Sequence, residues 1–93
     1  MKITGRIKII GDMEVFSNGK KKQSLVISTF ETKPREFEIH FYDEKTNLLI
    51  NLIQADTVTI RFTLDSEVFE DKHGKSYFTH IIGLEILYKK GYY

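Results

Sequence analysis

Residues 35–55, REFEIHFYDEKTNLLINLIQA, change their hydrophobic period half-way along. Up to Tyr42 the stretch alternates: Phe37, Ile39 and Phe41 fall on one side, and Glu36, Glu38, His40 and Tyr42 on the other. Successive side chains of a strand point to opposite faces, so this half is a strand with one buried face. From Asp43 the period lengthens. Leu48, Leu49, Leu52 and Ile53 recur at helical spacing, with Asn47 and Asn51 on the polar side. Asp43 is placed to cap the first turn by accepting backbone N–H bonds, and Glu44 suits the positive end of a helix. The spacing predicts one short helix directly after a strand.

Outward from this stretch everything reads as strand or turn. Lys2 to Ile10 is the first expected strand, with Ile3, Gly5, Ile7 and Ile9 facing inward and Lys2, Thr4, Arg6 and Lys8 outward. A glycine on the inner face permits a sharp bend, so one strand can serve two sheets. Ser17-Asn18-Gly19-Lys20 is a turn signal. Residues 23–32 are the second strand, with Leu25, Ile27 and Thr29 on one face and Ser24, Val26, Ser28 and Phe30 on the other. Apolar residues on both faces call for cover on both sides, by a ligand, a partner subunit or a loop. Lys33-Pro34 turns the chain into the third strand. Residues 56–70 form a long fourth strand with Val58, Ile60, Phe62, Leu64 and Val68 inward. Asp71-Lys72-His73-Gly74-Lys75 is a tight turn. Residues 76–88 return as the fifth strand, bent or bulged at Gly83, and the long hairpin projects beyond a small barrel. Three strands, one helix and two strands make an all-β chain in the order β-β-β-α-β-β. That is the order of the five-stranded OB barrel, whose helix plugs one end.

The 93 residues suffice for one domain with a thin core, over residues 1–93, and an apolar fraction of 41% with a single proline fits a globular chain. With no cysteine, disulfides and thiolate metal sites are excluded, and a cytoplasmic location is the compatible expectation. The opening Met-Lys-Ile-Thr-Gly-Arg lacks the unbroken apolar core of a signal peptide, and no apolar run reaches the ~20 residues of a membrane span. Fourteen basic and thirteen acidic residues give a net charge of +1, unevenly distributed. Lys20, Lys21 and Lys22 form a run and Lys89-Lys90 lies near the end, while Glu36/Glu38, Asp43/Glu44 and residues 65–71 gather acid. The terminal Tyr92-Tyr93 are expected to be disordered, as chain ends often are.

Catalysis finds no motif. His40, His73 and His80 lack the spacing of metal ligands, no Ser-His-Asp arrangement has a local signature, and the six glycines are scattered singly. The expectation is a non-enzyme without metal or cofactor. Binding finds more. On an OB barrel the second and third strands and the adjoining loops hold oligonucleotides. Here those positions carry Phe30 on the second strand, His40 and Tyr42 on the third, and Arg6 and Lys8 on the first. Phe16 with Lys20, Lys21 and Lys22 adjoins the first loop, and Phe69, Lys72, Lys75 and Tyr77 lie on the last hairpin. Bases stack on exposed rings and cations track phosphates, so the pattern suits a single strand. Tyr42 and Phe30 are expected on one stacking platform edged by Arg6, Lys8 and the lysine run. The same aromatics would equally seal a subunit interface. A protein-interaction module without nucleic acid is therefore the competing expectation, and the two-faced second strand and long hairpin suggest a homodimer or higher assembly.

A resemblance sharpens this. Ile3-Thr4-Gly5-Arg6-Ile7, Asn18-Gly19-Lys20 and Leu25-Val26-Ile27-Ser28-Thr29 resemble the front half of bacterial single-stranded-DNA-binding proteins, and Asp71 to Lys75 followed by Tyr77 resembles their last hairpin. The Ile-Thr-Gly opening, Lys22-Gln23, the Leu-Leu-rich helix and Asp56-Thr57-Val58 are closer still to a short, uncharacterised bacterial OB-like family. The resemblance implies an OB barrel that binds single-stranded DNA, with RNA as the other possible partner, and a base-stacking role for Tyr42. Ala55 stands where the family has glycine before the aspartate, which implies a different helix exit or mild strain. The family's acidic tail has no counterpart in this sequence, so recruitment of partners through it is not implied.

Overall fold

The computed structural model describes residues 1–91. The expectation for Tyr92-Tyr93 lies outside them. Seven elements follow in order: β1 (Lys2–Ile10), β2 (Glu14–Val15), β3 (Lys21–Ser28), β4 (Glu36–Tyr42), a 3-10 helix (Asp43–Leu49), β5 (Thr57–Asp71) and β6 (Gly74–Lys90). Five of the strands close on themselves in the order β1-β5-β6-β4-β3, with β3 returning to β1. β4 and β6 run parallel and the other pairs antiparallel. This is the OB fold. The two-residue β2, which the sequence pattern does not show, pairs with the start of β3 at Lys21 and Lys22.

Closure depends on β1. Its first half pairs with β5, from Lys2 to Arg6, and its second half with β3, from Arg6 to Ile10. Gly5 sits at the changeover, where a Cβ would stand 2.6 Å from the Ser28 carbonyl oxygen, so the expected bend is there and only glycine fits it. Lys8 is an extra residue between the Ile7–Ile27 and Ile9–Val26 pairs. That bulge reverses the alternation: Ile9 points to solvent, contrary to its expected inward position, and Ile10 packs on the core instead.

Ile7, Leu25, Ile27, Ile39, Phe41, Val58 and Ile60 fill the barrel, and Leu49 and Leu52 close one end. The helix is tighter than the α-helix its spacing suggested. At three residues per turn, Thr46 and Leu49 fall on one side, and Leu52, whose amide donates to the Leu49 carbonyl at 3.1 Å, continues their line past the helix end; all three are buried. Leu48 falls beside that line and is half-buried, while Ile53 is 56% exposed and is not part of the plug. Nor does Asp43 cap the helix. Tyr42 is the capping position and has no side-chain bond. Asp43 takes a left-handed backbone (φ 51°), which aspartate tolerates. Its Oδ1 accepts from the Lys21 amide at 3.1 Å and ties the helix start to β3.

Leu64 and Val68, expected inside, are exposed. β4 pairs with β6 at Ile39–Ile81 and His40–Ile82; Leu64 lies level with the Ile39–Ile81 pair and Val68 beyond it, where no third strand among the described residues flanks β5 and β6. The hairpin projects as expected. Two register shifts set its angle, leaving Leu84 and Leu87 of β6 without partners on β5.

The exit from the helix is strained. Ala55 has φ 77°, and its amide donates to the Ile7 carbonyl at 2.9 Å, so the conformation is held in place. The left-handed region costs a non-glycine residue roughly 1–2 kcal/mol, and glycine gives back part of that as chain entropy. Ala55→Gly is expected to stabilise the fold by about 0.5–1 kcal/mol, seen as a higher urea midpoint at unchanged m-value.

Candidate nucleic-acid interface

The outer surface of β3 and β4 is laid out by their register. Lys22 stands opposite Tyr42, Ser24 opposite His40, Val26 opposite Glu38 and Ser28 opposite Glu36. Tyr42 is therefore level with the start of β3, whereas Phe30 lies past its end. From Lys22 to Ser28 the strand covers about 20 Å. The expected single platform of Tyr42 and Phe30 does not form, because antiparallel pairing carries the two rings to opposite ends. Arg6 and Lys8 go with Phe30, and the lysine run goes with Tyr42.

At the first end, Tyr42 is 38% exposed and its ring lies 6.4 Å from that of His40, at an interplanar angle of 28°. Lys22, opposite Tyr42, is half-buried, and Lys20, Lys21 and Phe16 on the adjoining segment are exposed. Phe16 is held by its own turn, its amide donating to the Lys20 carbonyl at 2.8 Å. His40 departs from expectation. It points outward from β4 but is only 8% exposed, because β6 passes alongside and His80 packs edge-on against it at 5.6 Å. It is a support for Tyr42 rather than an open contact surface. Ser24 Oγ and His40 Nδ1 are 2.9 Å apart, and His40 Nε2 is 3.1 Å from Glu38 Oε1. The neutral ring with its proton on Nε2 satisfies both, donating to Glu38 and accepting from the Ser24 hydroxyl. Burial holds the imidazole below its usual range and the Lys22 cation acts in the same direction, against the weaker pull of Glu38.

The unfolded chain, with an ordinary histidine near 6.5, thus takes up a proton at higher pH than the folded one. Stability from this group is complete above about pH 6.5 and is lost as pH falls from there through the lowered folded value. Urea midpoints measured through that window are expected to fall in the parent chain and to flatten in His40→Gln. Equal slopes in the two chains would remove His40 as the cause.

At the second end, Phe30 is 57% exposed and the Arg6 guanidinium carbon lies 5.5 Å from its ring centroid, within cation–π range. Lys8 Nζ is 3.6 Å from Glu36. Between Phe30, β1 and the helix exit opens a cleft of about 640 Å³. The middle of the face separates the two ends with acid, since Glu36 and Glu38 both point outward there. A smaller hollow beside it is lined by Asp12, Glu14 and Glu38 against Lys22 alone, a poor place for phosphate.

The hairpin contributes a third group. Lys72 and Lys75 are exposed at its tip. Phe69 and Tyr77 do not share a face: Val68 pairs with Tyr77 and Phe69 with Ser76. Phe69 instead meets Phe78 edge-on at 5.4 Å. Phe78 is absent from the sequence-derived set. Its signal was available in principle, as the neighbour of Tyr77, but its face depends on the register. Gln54, Ala55 and Pro34 in the cleft were missed too, since nothing in their spacing places them beside Arg6. Among the described residues, no group of three or more His, Cys, Asp and Glu is placed to hold a metal ion, and no helix is long and apolar enough to cross a membrane.

Strand order, closure of the sheet and the helix at one barrel end define an OB-fold protein. The mitochondrial single-stranded DNA binding protein Rim1 of S. cerevisiae has a similar structure (TM-score 0.75, 18% identity, covering 92% of this chain and 89% of that one). So does the Plasmodium falciparum SSB in its complex with ssDNA (TM-score 0.67, 19% identity, covering 97% and 88%). The chain belongs to the family described as Domain of unknown function (DUF3127), which matches residues 2–86. The curated proteins offer no match.

Proposed function

We propose that the chain works as one OB domain that binds single-stranded nucleic acid, DNA in preference to RNA, without catalysis. The observation that carries this is the pairing of an exposed ring with cations at each end of the β3–β4 face, Tyr42 with the exposed Lys20 and Lys21 of the adjoining run and Phe30 with Arg6. Each ring accepts any base by stacking, and each cation accepts a phosphate. The likeness to a solved SSB–ssDNA complex lends the fold a precedent.

The test is a titration of labelled oligothymidine, long enough to span both ends, at a series of salt concentrations. Tyr42→Ala is expected to weaken binding by roughly 1–3 kcal/mol at every salt, keeping the slope of log affinity against log salt. Lys21→Ala is expected to lower that slope by about 0.7, the single-strand counterion value. Absence of binding at low salt overturns the proposal.

A second reading has its own support. Glu36 and Glu38 interrupt the face, and the hairpin exposes Leu64, Val68 and Tyr77 on one side and Phe69 and Phe78 on the other. On this reading the domain joins protein partners, or copies of itself as a homodimer or higher assembly, through those rings. Light scattering together with the oligothymidine titration separates the two. Tyr77→Lys is expected to lower the mass of a homo-oligomer held through the hairpin, and only under the second reading does the parent chain also fail to bind oligothymidine.

A further inference from the structure

We infer that the cleft beneath Phe30 is a discrete site for one nucleotide unit, with the base against the Phe30 ring and the phosphate at Arg6 and Lys8. Two observations converge on that ligand class. The volume, about 640 Å³, lies within the range of small-ligand sites and well above what packing defects leave. The walls divide by chemistry: Phe30, Pro34 and Ala55 supply apolar surface, and Arg6 and Lys8 bring positive charge from β1. A planar apolar body carrying an anion fits such walls, and a nucleotide has that form.

The electrostatics are permissive. Among the described residues, the carboxylates of Glu31 and Glu36 stand near. Glu31 is 3.6 Å from the Arg35 guanidinium and Glu36 is 3.6 Å from Lys8 Nζ. Both partners of the Lys8–Glu36 pair are more than half exposed, so the pair is weak and Lys8 can turn to a phosphate at little cost. The Arg6 guanidinium already lies over Phe30, which presents a ring and a cation as one unit. The frame is also rigid. The Gln54 side chain donates to the Lys8 carbonyl at 2.9 Å, Ala55 donates to Ile7, and the Arg35 amide donates to Thr29 Oγ1 at 3.0 Å. The strained Ala55 is one wall of the cleft, and backbone strain of this kind collects at binding sites.

The site rests on the nucleic-acid reading only for its source of ligand, which is either a unit within a strand or a free mononucleotide. Amide chemical shifts of the full chain, titrated in parallel with thymidine monophosphate, thymidine, inorganic phosphate and oligothymidine, test it. Thymidine monophosphate is expected to give saturable shifts at residues 6–8, 28–30 and 54–55, with thymidine and phosphate each at least about tenfold weaker. Phe30→Ala is expected to weaken it by roughly 5- to 150-fold, and Phe30→Tyr to retain it, because stacking needs the ring alone. Phe30 is largely exposed, so neither variant threatens the fold. If phosphate alone matches the nucleotide, or Phe30→Ala changes nothing, the site is overturned. If oligothymidine binds without moving the cleft residues and thymidine monophosphate does not move them either, the site falls while strand binding stands. If the mononucleotide binds and the oligomer does not, the site stands as one for free nucleotides and strand binding falls.

Discussion

Gly83→Ala is expected to destabilise the fold by about 3 kcal/mol or more, at or beyond the upper end of what overpacking a core usually costs. An alanine methyl at this position would overlap Cε1 and Cζ of the Phe41 ring. Phe41 has no exposed surface and is the largest fully buried side chain of the barrel, so the ring has nowhere to go. The backbone of β6 cannot yield either, because Gly83 pairs with Phe62 on one side while Ile81 and Ile82 pair with β4 on the other. In a domain of this size the loss reads as a fall of roughly 10–20 °C in Tm. The mechanism has its own signature. Adding Phe41→Leu removes the overlapping ring atoms, so the double variant is expected to be more stable than the sum of the two single losses, with a coupling of about 0.5–3 kcal/mol. Strict additivity would show that the methyl does not meet Phe41.

Leu52→Ala is expected to cost about 2–5 kcal/mol, and Ile53→Ala less than about 0.5 kcal/mol. Leu52 is 7% exposed and closes the barrel end with Leu49, whereas its neighbour Ile53 lies in solvent. An α-helical plug using Leu48, Leu49, Leu52 and Ile53 would lose several kcal/mol at either residue. The 3-10 turn loses it only along the Thr46, Leu49, Leu52 line. Urea denaturation of the two variants therefore reports which helix forms at the barrel end. Comparable losses at the two positions would restore the α-helical reading.

The order of the five long strands and the one helix was legible in the chain, because the period of the side chains changes where the backbone does. Alternation at Phe37, Ile39 and Phe41 marks a strand wherever its partners lie, and the clustered leucines mark one helix. Gly5 and Gly83 were legible as bends for a similar reason: a missing side chain inside an apolar face has few other uses. The aromatic and cationic residues of the candidate interface were legible as types and as members of outward-facing sets.

Their grouping was not, because it arises from the register between strands. Register is a relation between two strands, so nothing within β3 or β4 alone reveals that Tyr42 comes level with Lys22 and leaves Phe30 at the far end. The Lys8 bulge that turns Ile9 outward, the route of β6 that buries His40, and the end of strand pairing that exposes Leu64 and Val68 all depend on where a distant strand runs. Hydrophobic period is a local property of a chain. The cleft that joins Arg6 and Lys8 to Phe30 and Ala55 arises only when β1, the β3–β4 connection and the helix exit are brought together by barrel closure.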